Sequence, residues 1–566
     1  MNGTSECVKE HHRLLVVGLD GATWDLIAPW TRAGRLPFLA RLMAEGTATY
    51  LNSTVLPISP PAWASFMTGK NPGKHGIFDF TGRDWSSYRM RIMRRPTEPS
   101  FWEILGESGY RVGIVGVPQT YPPRPVNGVL VTGLGTPSDK TFTYPPELSG
   151  PLHAQGYRPT PDVHYRPGDE GGVLDSLLAE AEATTRVATD LMSREPWDLF
   201  VVVLRITDEA GHFFWRHMDE THPAHTREDE VYQSAVLTCY QKADEALRRI
   251  VEAAGGDVTL LVMSDHGSGP LYKDVFLNEW LRQEGLLVLK EKPTPSSLVV
   301  RLLLQSGLTR TTVGHTLSRL GLGGLKAWLR DLLGDRINVI PNDPRLPLHE
   351  AVDWSRTQAY STGYIGQIYV NLKGRDPQGI VDPGEVYERV RDRITERLLQ
   401  LQDPETGERV VDKVVKKEEV YTGPYLEQAP DLFVYMKGLG YITRGSYDLA
   451  PDGTIFAHPS THESGAHRQR GVLLAWGEHV QPSRPLHETP PAEIIDLAPT
   501  ILYLMDCAIP EDMDGQVVES LVAPAYASAH PVAYASTGGT VQHGSRYLTE
   551  QEELEIIDRL KGLGYL

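Results

Sequence analysis

The sequence predicts an α/β protein in which a mainly parallel sheet lies between helix layers and a helical or mixed insertion covers one edge. Two patterns carry that prediction. Short runs that stay apolar on both strand faces recur at residues 14–19, 112–117, 129–131, 199–204, 258–263, 432–435 and 472–475. Between several of them lie longer stretches with helical spacing of apolar residues, at 36–45, 174–192 and 231–254. Strands buried on both faces and alternating with helices are the signature of parallel sheets, whose ligands gather at the carboxyl ends of the strands.

Taken in chain order, the run 14–19 reads as the first strand. It is too short for a secretory core, which needs about 7–15 apolar residues. No stretch approaches the roughly 20 apolar residues of a membrane span, so a cytoplasmic protein without a membrane span is expected. Residues 1–277 are read as the first part of a core domain, 278–427 as an inserted cap and 428–525 as the second part of the core. Residues 526–566 form a C-terminal loop and an amphipathic helix whose start is marked by a capping box of Thr549 and Glu552. Within the cap, 293–335 is Leu-rich with regular Arg and Lys and reads as a helical insertion. Strand character returns at 357–372, and 376–422 reads as helix and loop.

The 566 residues carry 55 Lys and Arg against 73 Asp and Glu, a net charge of −18. That balance repels nucleic-acid backbones and anionic membranes at long range. It leaves room for a small anionic substrate, because bound cations reverse the field locally. Cys7, Cys239 and Cys507 are too few and scattered for a disulfide framework or a thiolate metal site. No feature of the sequence fixes an oligomeric state.

Acidic and imidazole residues follow the strands. Asp20 ends the first; Asp208 and His212 follow 199–204; Asp265 and His266 follow 258–263. A parallel sheet brings these ends to one edge, where carboxylates and imidazoles form a site for divalent metals such as zinc, manganese or iron. Taken alone, Asp20 reads equally as a turn former. Asp208 and His212, four apart, share a face if their segment is helical. Ser59 before Pro60 and Pro61 reads as a helix N-cap with Pro at the first helical position. A hydroxyl there sits where free N–H groups would hold a phosphate, and a metal would ionise it into a nucleophile.

Together with 59–69 and 73–77, the segments Gly18-Leu19-Asp20-Gly21, Asp208-Glu209-Ala210-Gly211-His212, Ser264-Asp265-His266-Gly267 and Gly465-Ala466-His467-Arg468 follow one another in the order seen in the alkaline phosphatase superfamily. The chain most resembles the type I phosphodiesterase and nucleotide pyrophosphatase branch, with the likeness running to about residue 525. The resemblance implies an alkaline-phosphatase-like fold and two divalent metals, usually zinc and sometimes manganese or iron. Asp20, Ser59, Asp265 and His266 would hold one metal, and Asp208, His212 and His467 the other. It also implies Ser59 as the nucleophile of a small phosphorylated substrate, most simply a phosphodiester or nucleotide-type ester cleaved through a phosphoserine intermediate. His458 and His462 lie near His467 and read as loop residues.

The chain departs from the branch in one respect. No Asn stands close behind Ser59 to bind a phosphoryl oxygen, so Lys70, Asn71, Lys74 or a cap residue would have to replace it, and strict nucleotide pyrophosphatase activity is not implied. Trp63 occupies the position where a sulfatase carries Arg. Phosphomonoesterase or phosphonate hydrolase activity on the same site, and a non-catalytic phosphate-binding regulatory protein, are the alternatives. Arg83, Arg205, Tyr364 and Gln367 are candidates to line the pocket.

Overall fold

The structure is a computed structural model that describes residues 12–137, 140–160, 168–256, 258–290, 348–443, 453–459, 463–481, 486–536 and 547–562. The predicted 293–335 insertion and His462 lie outside the described residues. Among the described residues nine strands form the central sheet, in the order Ala492–Glu493, Thr47–Asn52, Arg470–Trp476, Val258–Met263, Arg13–Leu19, Leu199–Leu204, Val112–Val117, Gly128–Thr132 and Thr143–Tyr144. The five strands from Val258–Met263 to Gly128–Thr132 run parallel, while Arg470–Trp476 and Thr143–Tyr144 are antiparallel to their neighbours.

Alternation along the first strand shows why both faces are apolar. Leu15, Val17 and Leu19 join a core with the helices Trp24–Arg32, Pro37–Glu45, Glu170–Arg194 and Ala235–Ala254. Leu14 and Val16 face the other way, into a core with Ser59–Thr68, Phe101–Glu107 and Leu497–Leu504. A central strand buried this way excludes water from two layers at once. The register pairs Leu19 with Leu204 and Gly18 with Met263, so the three strands end level. Asp20, the Asp208 helix and Asp265 therefore start from the same sheet edge.

A third apolar cluster packs the helices Leu277–Gln283 and Glu385–Leu398 against a four-stranded antiparallel-paired sheet ordered Ala359–Ser361, Gln367–Val370, Leu432–Met436, Val411–Lys416. The run 432–435, read from sequence beside the core strands, belongs to this smaller sheet. Being apolar on both faces fits either location, and only pairing decides. Strand Val411–Lys416, which the sequence reading placed in helix and loop, carries exposed Asp412 and Lys413 at the sheet edge and so lacks an apolar run. The C-terminal helix Glu550–Gly562 follows the expected capping box, with Thr549 N–H donating to Glu552 at 2.9 Å. Among the described residues no helix is long and apolar enough to cross a membrane.

Candidate metal centre and nucleophile

Gly18 explains how the first strand presents Asp20. A Cβ at position 18 would lie 2.7 Å from the Trp63 ring, so glycine lets that indole pack over the strand. Trp63 Nε1–H then donates to Asp20 Oδ2 at 3.3 Å. Beyond Asp20 the chain turns at Gly21 with φ +64°, a left-handed conformation that side chains resist. A Cβ there would lie 2.5 Å from Asp208 Oδ1, so the turn lets two strand ends approach closely. Hydroxyls lock it: Thr207 donates to Asp20 O and Ser268 to Gly21 O, both at 2.5 Å.

The helix Ile206–Met218 carries Asp208 and His212 on one face, as their spacing predicts. His212 Nε2 lies 3.4 Å from Asp208 Oδ2. The short strand Gly465–Arg468 pairs antiparallel with Gly267–Pro270, which sets His467 opposite Ser268 and delivers it to the same edge. His467 Nε2 stands 3.6 Å from Asp208 Oδ1 and 3.0 Å from His212 Nε2. His266 Nε2 stands 3.3 Å from Asp265 Oδ2 and 3.7 Å from Asp20 Oδ1. The structure thus brings all seven predicted residues into one buried cluster, each no more than 2% exposed.

Second ring nitrogens set the tautomers. His467 Nδ1 bonds Pro57 O at 2.7 Å, and His266 Nδ1 bonds Gly267 O at 3.0 Å. A carbonyl only accepts, so both Nδ1 atoms donate, and Nε2 is the ring nitrogen that each turns toward the carboxylates. This is how proteins prepare imidazole to bind a metal.

Electrostatics point the same way. Burial raises Asp20 well above the ordinary carboxylate range, with Asp265 and Asp208 adding to it. Asp265 is raised by burial as well, against the pull of His266. Burial also acts to raise Asp208, but the facing His212, His467 and His266 hold it well below its ordinary value. Asp20 Oδ1 and Asp265 Oδ2, both buried, accept no hydrogen bond among the described residues. Arg205, the cation that acts on Asp20, is engaged by Glu180 and Glu209. Three carboxylates so confined call for positive charge. Among the described residues two overlapping groups have donor atoms within 4.8 Å of one another, Asp20 with Asp265 and His266, and Asp208 with His266 and His467. The oxygen and nitrogen donors fit zinc, manganese or iron.

Ser59 differs from its predicted role. Ile58, extended at φ −113° and ψ 133°, is the cap, and Ser59 is the first residue of Ser59–Thr68. Pro60 and Pro61 have no N–H to offer, and Ala62 N–H is taken by Ile58 O at 3.1 Å. An array of free N–H groups for phosphate is therefore absent from this helix start. The hydroxyl itself is left uncommitted to capping and lies 3.1 Å from His266 Nε2.

The sequence profile described as type I phosphodiesterase / nucleotide pyrophosphatase matches residues 14–467. The chain belongs to that family. Membership makes it a hydrolase of phosphoric ester bonds. Phosphonoacetate hydrolase from Sinorhizobium meliloti, solved with phosphonoacetate, superposes with a TM-score of 0.52 at 16% identity, covering 88% of this chain and 95% of that one. It shares the fold. Murine ectonucleotide pyrophosphatase / phosphodiesterase 5, solved with AMP, gives 0.47 at 12% identity over 90% of this chain and 100% of that one. The human protein gives 0.45 at 12% identity, with coverages of 90% and 99%. No curated protein matches the chain by sequence.

Within this family member the proposed stand-ins for the missing Asn are occupied elsewhere. Lys70 pairs with Glu98 and Asp512, Lys74 with Asp514, and Asn71 bonds Gly73 N–H and Asp514. Arg83 is buried against Asp376 and Trp85, and Gln367 bonds Asp79, so neither lines the site as a free donor. His458 is two-thirds exposed, with Glu405 as its ion partner at 3.9 Å. Of the four lining candidates, Arg205 accepts the Asp208 N–H through its carbonyl at 3.1 Å, and Tyr364 sets its ring centroid 5.7 Å from that of His467. Trp63, Gly18 and Gly21 were the residues that sequence reasoning left without a role. Their signal was the glycines flanking Asp20.

Proposed function

We propose that this protein cleaves phosphate esters, with diester or nucleotide-type esters the favoured class, through a phosphoserine intermediate on Ser59. The observation that carries the reading is the uncapped Ser59 hydroxyl, 3.1 Å from His266 Nε2 and beside three buried carboxylates. Asp20, Ser59, Asp265 and His266 would hold one divalent ion, and Asp208, His212 and His467 the other, with zinc the favoured metal. When bound, the ions supply Lewis acidity that lowers the pKa of the hydroxyl and offsets charge on the transferring phosphoryl group.

Ser59 Oγ gives its proton to water and attacks phosphorus opposite the leaving oxygen, which takes a proton from water in its turn. The new bond is Oγ–P, the broken bond is P–O to the leaving alcohol, and that oxygen departs with the bonding pair and is protonated. Water then attacks the phosphoserine, restores the hydroxyl and releases the phosphate product. Asp20 is aimed by Trp63 and His467 by Pro57 O, so the groups meet the substrate already oriented. Helix N–H groups contribute little, since two of the first three residues are proline.

The test is a metal-replete panel comparing an aryl phosphate monoester, a diester, a nucleotide 5′-ester, a phosphonate ester and a sulfate ester by kcat/KM. The diester or nucleotide ester should lead. A dominant monoester or phosphonate would move the protein to another branch of the superfamily, and no turnover of any phosphorus ester would overturn the reading.

A further inference from the structure

Asp79 is a buried carboxylate with no cationic partner among the described residues, and the mechanism above does not use it. Its Oδ2 accepts from Tyr364 N–H at 2.6 Å and from Gln367 Nε2 at 2.8 Å, and its Oδ1 from Phe80 N–H at 2.6 Å. Burial pushes its pKa up to about 7, against the pull of those three donors. An isolated carboxylate in the interior is costly, and one that gathers three hydrogen bonds is fixing a shape.

The shape is the loop 363–366. Gly363 has φ +92°, Ile365 +60° and Gly366 +74°. A β-branched residue at +60° is strained and persists only where the surroundings over-determine it. Asp79 is one restraint. Thr443 is another, accepting from Gly366 N–H at 2.7 Å through its hydroxyl and from Ile365 N–H at 3.3 Å through its carbonyl. A Cβ on Gly363 would lie 2.6 Å from Asp79 Oδ2, so glycine is needed for that carboxylate to reach the loop.

What the loop delivers is the Tyr364 ring, buried and set edge-on to His467 at 68°. The same imidazole stacks on His266, with centroids 3.6 Å apart and 19° between planes, and its Nδ1 is tied to Pro57 O. Tyr364 adds an edge-on ring contact to the same imidazole, beside the T-shaped approach of His212 with centroids 5.0 Å apart. We propose that Asp79 and Tyr364 are positioning residues, a clamp in which the Asp79-held loop presses the Tyr364 ring onto His467 and so fixes the aim of its Nε2. The inference rests on the reading that His467 holds one of two metal ions. It adds how a residue outside the ligand set controls that site.

The experiment is zinc loading of the full chain followed by chelator challenge, with release followed by a chromogenic zinc indicator and melting temperature recorded in parallel. Tyr364→Leu and Asp79→Asn should release one of the two zinc ions about tenfold to a hundredfold faster than wild type, the same ion that His467→Ala fails to retain. Tyr364→Phe, which keeps the ring, should release both at the wild-type rate. Equal acceleration of both ions would reduce the clamp to general loosening and overturn the proposal. So would wild-type release from Tyr364→Leu, a variant that introduces no buried polar mismatch. A wild type that binds no zinc would instead sink the underlying metal reading, which separates the two failures.

Discussion

Adding zinc to chelator-stripped protein should raise its melting temperature, and the size of the rise can be worked out. Stripped of metal, the edge of the sheet holds Asp20, Asp208 and Asp265 together at 2%, 1% and 0% exposure. A ligand that binds only the folded state at a hundred times its Kd stabilises by about 2.7 kcal/mol per site. Two sites give about 5 kcal/mol. Unfolding entropy of about 2.1 cal/mol/K per residue over 566 residues is about 1.2 kcal/mol/K. The expected shift is therefore about 4–5 °C by differential scanning fluorimetry.

The sign of the pH dependence follows from Asp20 and Asp265. Their folded pKa values are raised, so the stripped native state binds more protons than the unfolded one and loses stability as pH rises above the ordinary carboxylate pKa of about 4. Metal binding favours the ionised forms, so the zinc-induced shift should be larger at pH 8 than at pH 6. Asp20→Asn should melt higher than wild type when stripped, because one buried acid is gone, yet gain only about 2 °C from zinc. If zinc, manganese and iron all leave the stripped wild type unmoved at both pH values, the two-metal argument is refuted.

Ser59→Ala should keep the zinc-induced melting shift while turnover falls by about three orders of magnitude or more; wild-type-like rates would remove the nucleophile. Chiral-phosphate analysis of the wild-type reaction should give retention at phosphorus, because two in-line displacements cancel, and inversion would exclude the covalent step. Gly21→Ala combines a left-handed φ with a Cβ 2.5 Å from Asp208 Oδ1, so it should cost about 1–2 kcal/mol and weaken zinc retention in the same chelator assay. Arg83→Ala leaves Asp376 to Arg375 alone among its ion partners; a loss of about 3 kcal/mol, read as a lower melting point, is expected without change in zinc stoichiometry.

The core of the fold was legible because its strands are apolar on both faces and stop at charged residues. The 199–204 and 258–263 runs match their strands end to end, and the first strand starts one residue earlier than its apolar run. Asp20, Asp208, His212, Asp265 and His266 were legible for the same reason, since a level register turns strand ends into one edge. His467 was not legible that way. It arrives on a four-residue strand pairing across some two hundred residues, and its only signal was the order of motifs. The smaller sheet was legible only in part, because Leu432–Met436 looks like a core strand and Val411–Lys416 looks like none. Asp79 gave no signal, since its three donors are backbone or amide N–H groups, two of them hundreds of residues away.

Ser59 shows how a single residue of helix boundary changes the chemistry. As an N-cap its hydroxyl would accept from N–H groups one turn ahead and be committed to stabilising the helix. With the cap at Ile58, the following prolines sit at the second and third helical positions, where a capping hydroxyl would look for its donors. Those donors do not exist, so nothing in the helix competes for Ser59 Oγ, and its recorded side-chain partner is His266. The two prolines thus start the helix, because their φ suits its first turn, and at the same time keep the hydroxyl free for an electrophile. The argument yields its own check: Pro61→Ala should restore an N–H near Oγ and lower kcat with little change in KM, whereas an unchanged kcat would show that the prolines serve the helix alone.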